Sequence, residues 1–144
     1  KGKCQLTVHP KSKAKMKARL KELTSRSNGW GYAKRKQKLK EYIRGWVGYY
    51  HLANMKRLLQ ETDEWLRRRI RMCIWKSWKR IKTRIVNLVR CGMDKYRAYM
   101  WGNSRLGYWR VADSPILKMA ISNDSLRKTG YVTLMGSYLE WHPK

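Results

Sequence analysis

Apolar residues recur at helical spacing in three long stretches of this chain. Met16, Leu20 and Leu23 stand at i, i+4 and i+7, the period that gathers side chains on one face of an α-helix. Lys13, Lys15, Lys17, Arg19 and Lys21 surround them, so the spacing predicts an amphipathic helix over 13–26 with Ser12 as its N-cap. Ahead of it, Cys4, Leu6 and Val8 alternate like a short edge strand until Pro10 stops the alternation. Residues 1–11 are therefore expected to be an extended segment. Asn28 to Gly31 reads as a turn. A second helix is predicted over 33–52, with Leu39, Tyr42, Ile43, Trp46, Val47 and Tyr50 in one stripe. A third is predicted over 55–80, packing through Leu58, Leu59, Thr62, Trp65, Leu66, Ile70 and Cys73. At about 100° per residue, Arg67, Arg68 and Arg71 project on its far side, and Trp75 and Trp78 project with them.

Shorter periodic pieces follow. Gly92 ends a helix over 83–91, and Asp94 caps one over 95–102. A segment from Gly107 to Val111 precedes a helix with Ser114 as cap and Pro115 at its first position. Asn123 opens a last one, ended by Gly130. The expected fold class is all-α: a three-helix bundle over 12–81, followed by several shorter helices over 82–144.

Composition turns this scaffold toward a partner. Of 144 residues, 35 are Lys or Arg and 9 are Asp or Glu, a net charge of +26, far beyond what solubility requires and suited to a polyanion. Residues 1–91 hold 27 basic and 5 acidic side chains, and residues 92–144 hold 8 and 4. The step near residue 91 marks a candidate subdomain boundary and puts the expected partner against the first two thirds. There is no Phe, so the aromatic core must come from 8 Trp and 9 Tyr, whose N–H and O–H groups want partners when buried and whose faces can stack on bases when exposed. No apolar run approaches the ~20 residues of a membrane span, and a soluble intracellular protein is expected. Cys4, Cys73 and Cys91 show no paired spacing, so reduced thiols are expected rather than a disulfide framework or a zinc site. A chain opening on Lys1 rather than Met reads as a piece of a longer protein.

The strongest chemical signal is residues 65–84, with nine Lys or Arg and no acidic residue. A long helix holds such cations in register with a phosphate backbone, and the arginine fork suits phosphate oxygens. A merely solvated face is the competing reading, weakened because like charges at i and i+4 repel with nothing nearby to compensate them. Arg69 falls inside the apolar stripe, where burial beside Glu41 or Glu61 competes with nucleic-acid contact. Trp75 and Trp78 either stack on bases or pack under a neighbouring helix. Gly45 and Gly48 leave a notch in the second helix, open to a second helix or to a duplex groove. Asp63 and Glu64 diverge by about 100° and cannot jointly hold a metal. His9, His51 and His142 stand apart from any nucleophile pattern. Without a P-loop or an HExxH motif, the segment reads as non-catalytic.

Taken together, the motifs resemble those of group II intron-encoded reverse transcriptases. His9-Pro10-Lys11-Ser12 with Leu23-Thr24-Ser25-Arg26 is similar to the start of that family's thumb, and Leu39 through Arg44-Gly45-Trp46 to Tyr49-Tyr50 to its second helix. Asp63-Glu64-Trp65, Arg67-Arg68-Arg69, Arg71 and Trp75-Lys76-Ser77-Trp78-Lys79 continue the likeness. Gly107-Tyr108-Trp109-Arg110, Ser114-Pro115, Asn123, Leu126 and Gly130-Tyr131 resemble the segment used for contacts with target DNA. The resemblance implies a thumb or maturase-specific unit over 12–81 and a small DNA-binding segment over 82–144. Its implied partners are intron RNA, an RNA/DNA template-primer duplex, target DNA and an upstream polymerase domain in the same parent chain, with no membrane. No cofactor is implied for this segment, and Mg²⁺ for the parent polymerase, whose YADD-type carboxylates do not occur here. The chain stops at Lys144 soon after that segment, as in members that lack the C-terminal endonuclease. The expected location is cytoplasmic, bound in a ribonucleoprotein. The residues expected to meet nucleic acid are Lys17, Lys36, Arg44, Arg67, Arg68, Arg71, Trp75, Lys76, Lys79, Arg80, Lys82, Arg84 and Arg110. Two other classes compete: a nuclease or transferase, and a stand-alone basic structural protein that neutralises RNA.

Overall fold

The computed structural model describes residues 6–25 and 29–142. Cys4, Arg26 and Asn28, which figure in the extended segment, the first helix and the first turn, lie outside the described residues. Among the described residues there are nine helices and no strand: α1 (Pro10–Leu23), α2 (Tyr32–Tyr50), α3 (Lys56–Ser77), α4 (Ile81–Arg90), α5 (Lys95–Gly102), α6 (Tyr108–Ala112), α7 (Pro115–Ala120), α8 (Asn123–Lys128) and α9 (Leu134–Trp141). The all-α expectation holds. The chain forms two compact units, one of residues 1–66 with 130–144 and the other of residues 67–129. Compactness divides the chain inside α3 and groups the C-terminal helix with the first unit.

In the first unit α2 packs on both α1 and α9. Met16, Leu20 and Leu23 of α1, Leu39, Ile43 and Val47 of α2, Leu59 and Leu66 of α3, and Leu134 and Tyr138 of α9 are buried together with Val8 and Met55. The predicted stripes supply this core, with Tyr42, Trp46, Tyr50, Leu58 and Trp65 half-buried at its margin. Helix α1 begins earlier than its spacing predicts. Pro10 occupies the first turn, where its missing N–H costs nothing, and the cap is His9, whose Nδ1 accepts from Lys11 N at 3.1 Å. Ser12 is already inside the helix and accepts a hydrogen bond from Tyr50 Oη at 3.2 Å. The segment before α1 is tied down by Asn54 N, which donates to Leu6 O at 2.7 Å.

Helix α9 is held at both ends. Thr133 Oγ1 accepts from Gly136 N at 2.9 Å, and the buried carboxylate of Asp63 accepts from Leu134 N at 2.8 Å and Met135 N at 2.9 Å. A carboxylate at a helix N-terminus satisfies orphan N–H groups and meets the positive end of the dipole. At the other end Trp141 stacks on His51, 4.1 Å between ring centroids, and His142 Nε2 lies 2.7 Å from His51 O. The notch at Gly48 is thereby filled from within the unit: a Cβ there would meet Trp141 at 3.6 Å, whereas Gly45 faces open space.

The second unit contains the latter part of α3 and helices α4 to α8. Leu88, Ala98, Val111, Ala112, Leu117 and Leu126 form its apolar interior with Ile70, Cys73 and Trp75. Asp94 caps α5 through Arg97 N, and Ser114 caps α7 ahead of Pro115, both as the sequence predicts. Ser122, rather than Asn123, caps α8. Gly92 (φ 101°) and Gly130 (φ 106°) take the left-handed conformation after α4 and α8 that glycine adopts without strain. Gly102 lets α5 lie close against α4, since a Cβ there would stand 2.6 Å from the Ile85 side chain.

Candidate nucleic-acid interface

Of the thirteen expected contact residues, Lys17, Lys36 and Arg44 belong to the first unit and the other ten to the second. In the first unit α1 carries Lys11, Lys13, Lys15, Lys17, Arg19 and Lys21 outside its buried stripe. Lys17 Nζ stands 4.9 Å over the Trp65 ring and Lys36 Nζ 5.7 Å over Tyr131, while Arg44 is exposed. Rings under ammonium groups restrain them and leave the charge outward.

The second unit treats its cations differently. Arg71, expected on the outer face, is 4% exposed. Its Nε donates to Ile121 O at 2.6 Å and its Nη2 to Asn123 Oδ1 at 2.7 Å. Burial pushes its pKa below the usual arginine value, and the neighbouring Arg67 adds to the effect; arginine nonetheless keeps its charge in proteins. Trp75, the expected stacking residue, is 1% exposed, with Trp78 edge-on at 5.9 Å and the Arg84 guanidinium 4.6 Å above it. The packing alternative is the one realised. Arg68 lies 3.7 Å over the Trp109 ring and donates twice to Trp109 O, at 2.8 and 3.1 Å. Arg69 is half-buried, its guanidinium 5.9 Å from the same ring.

These placements share a cause. Each helix leaves its last four carbonyls without intrahelical partners, and cationic donors suit the negative end of the dipole. Arg68 reaches a carbonyl in the last turn of α6, Arg71 the C-cap carbonyl of α7, and Arg84 Nε the Trp78 carbonyl beyond α3 at 2.8 Å. The single helix expected over 55–80 is not realised. Helix α3 ends at Ser77, whose hydroxyl donates to Ile74 O, so the nine cations of residues 65–84 divide into five on α3, Lys79 and Arg80 in the link, and Lys82 and Arg84 on α4, rather than forming one row.

Lys79, Arg80 and Lys82 face solvent, as does Arg110, with Arg67 and Lys76 half-buried. Among the described residues no carboxylate pairs with Lys79, Arg80 or Lys82: Glu22 pairs with Arg19, Glu41 with Lys38, Glu61 with Arg57, Asp113 with Lys118, and Asp124 with Arg127 and Lys128. The hydrogen bonds of Arg71 and Arg84 go to neutral oxygens, which do not cancel their charge. Residues 67–129 hold 17 basic and 3 acidic side chains, a net +14, against 18 and 6, a net +12, for residues 1–66 with 130–144. Charge is therefore shared almost evenly between the units, although most of it lies ahead of residue 91 in the chain.

Sequence reasoning did not single out Asp63 as a helix cap, because the amides it accepts from lie 71 and 72 residues away. Nor did it single out Tyr96 and Tyr99, exposed on α5. Among the described residues no cluster of His, Cys, Asp or Glu is suited to hold a metal ion, and no helix is long and apolar enough to cross a membrane. The family model for the group II intron, maturase-specific domain matches residues 13–92. Comparison with curated proteins found no match.

Proposed function

Because the chain belongs to the group II intron maturase-specific domain family, we propose that it is the part of a group II intron reverse transcriptase that holds intron RNA and the template-primer duplex during splicing and retrotransposition. The supporting observation is the cluster Lys79, Arg80 and Lys82, which stays in solvent and free of carboxylates while Arg68, Arg71 and Arg84 bond to backbone carbonyls. Cations of this kind neutralise phosphates and release counterions, giving affinity with little sequence readout. An A-form duplex offers phosphates and 2′-hydroxyls in place of readable base edges.

In this reading the domain acts by binding. Polymerase carboxylates and their Mg²⁺ belong to an upstream region of the parent chain, target DNA is met within the segment after α3, which leaves other faces of that segment to RNA, and the protein resides in the cytoplasm within a ribonucleoprotein. Splicing requires that upstream region as well. The test is the salt dependence of binding to double-stranded RNA. Replacing Lys79, Arg80 and Lys82 by Ala should flatten the slope of log K against log salt by about 2 to 3, roughly 0.9 for each phosphate no longer neutralised. An unchanged slope excludes this cluster from the interface.

A further inference from the structure

Helix α5 presents an aromatic face that the interior of its unit does not use. Tyr96 is 72% exposed, Tyr99 62% and Met100 55%, large values for side chains whose burial is ordinarily favourable. The opposite side is fixed: Ala98 is fully buried, and Gly102 sits so close to α4 that a Cβ would meet Ile85 at 2.6 Å and the Ile81 carbonyl oxygen at 3.4 Å. The helix cannot rotate to bury its tyrosines without breaking that approach. At about 100° per residue, Tyr99, Tyr96 and Met100 occupy the middle of the outward face, and the exposed Lys95 and Arg97 stand at its two edges. Asp94, the carboxylate nearest in sequence, accepts from Arg97 N as the helix cap.

We infer that this face of α5 is a stacking platform for unpaired nucleotides of RNA. The inference rests on the reading that the chain binds RNA, and it adds the form of RNA held at this place. The flanking cations and the net +14 of the unit favour a polyanion over an apolar protein surface. Unpaired segments are favoured over duplex because a tyrosine ring stacks only on an open base face, and base pairs within a helix cover one another's faces. Two rings at i and i+3 lie on adjacent turns of one face, the spacing of a platform for neighbouring bases.

The test titrates the whole chain with a labelled short oligouridylate, an oligothymidylate of equal length and a double-stranded RNA, each over a salt series. The variants are Tyr96→Leu with Tyr99→Leu, and Tyr96→Phe with Tyr99→Phe. The leucine pair should lose about tenfold or more in affinity for oligouridylate, with an unchanged salt slope because no cation is removed. Double-stranded RNA should bind it as before, and the phenylalanine pair should match the wild type on every ligand. Leucine keeps apolar area without a stacking face, so a docking face for an apolar protein would leave oligouridylate affinity unmoved. That result overturns the inference, as would a loss confined to oligothymidylate, an equal loss on double-stranded RNA, or no oligouridylate binding by the wild type. Failure of the duplex reading shows separately, as salt-independent or absent binding of double-stranded RNA by the wild type.

Discussion

The two units carry similar charge on different side chains. Residues 1–66 with 130–144 hold 13 Lys and 5 Arg, whereas residues 67–129 hold 6 Lys and 11 Arg. Helix length explains the difference. Helices α1 and α2 run for 14 and 19 residues, so few carbonyls per residue are left without partners. Lysines can stand outside a plain apolar stripe, as they do on α1. Helices α4 to α8 span 5 to 10 residues, and each ends in carbonyls that need donors. A guanidinium offers five N–H groups in a planar fork and is less strongly hydrated than an ammonium, so it can enter the interior and satisfy them. A cation in the first unit is mainly surface, while three arginines of the second, Arg68, Arg71 and Arg84, bond to backbone carbonyls.

The comparison breaks most readily at Arg71. Arg71→Ala should destabilise the second unit by about 3 kcal/mol in urea denaturation, because it orphans the Ile121 carbonyl and leaves a cavity. Arg71→Lys should rescue little of this, since one ammonium does not reproduce the fork that spans Ile121 O and Asn123 Oδ1. Lys15→Ala, its counterpart on α1, should leave stability within about 0.5 kcal/mol. Its readout is the salt slope for duplex RNA, expected to fall by about 0.9 if α1 also meets phosphate.

Asp63→Asn should cost about 1 to 2 kcal/mol, because a single amide oxygen replaces two carboxylate oxygens and the charge at the α9 N-terminus disappears. Hydrogen exchange at Leu134 and Met135 would localise the loss. Trp65→Leu should cost about 0.5 to 1 kcal/mol beyond the change in buried area, by removing the ring under Lys17. A double-mutant cycle with Lys17→Met isolates that contribution.

The smallest effect is one of pH. The Lys118 hydrogen bond to Asp113 holds that carboxyl below its usual range. Its folded-state value is depressed, so the pair stabilises the fold above the ordinary carboxylate range and the contribution is lost as pH falls through the folded value. The groups are exposed, so the change is slight. Lys118→Met should remove that part of the acid dependence of thermal unfolding.

Much of the fold was legible because the buried stripes of α1 to α3 keep a strict helical period, and a period is a local property. Caps at Asp94 and Ser114 were legible for the same reason. The site was less so. Arg67, Arg68 and Arg71 look alike on a helical wheel, yet Arg71 is buried and Arg68 lies on Trp109, because their partners stand 41 to 52 residues further along the chain. On α5 the small side of the helix, Ala98 and Gly102, is the one that packs, and Tyr96, Tyr99 and Met100 stay outside.

The amino-acid sequence by itself determined most of the helices, the α1 to α3 stripes of the core and the excess of positive charge, since each follows from spacing or a count; it did not show α9 or the break after Ser77. The tertiary structure alone decided which cations face solvent, that Trp141 fills the notch at Gly48, and which face of α5 remains open. Those outcomes depend on where distant carbonyls and side chains come to rest, and no local pattern encodes that.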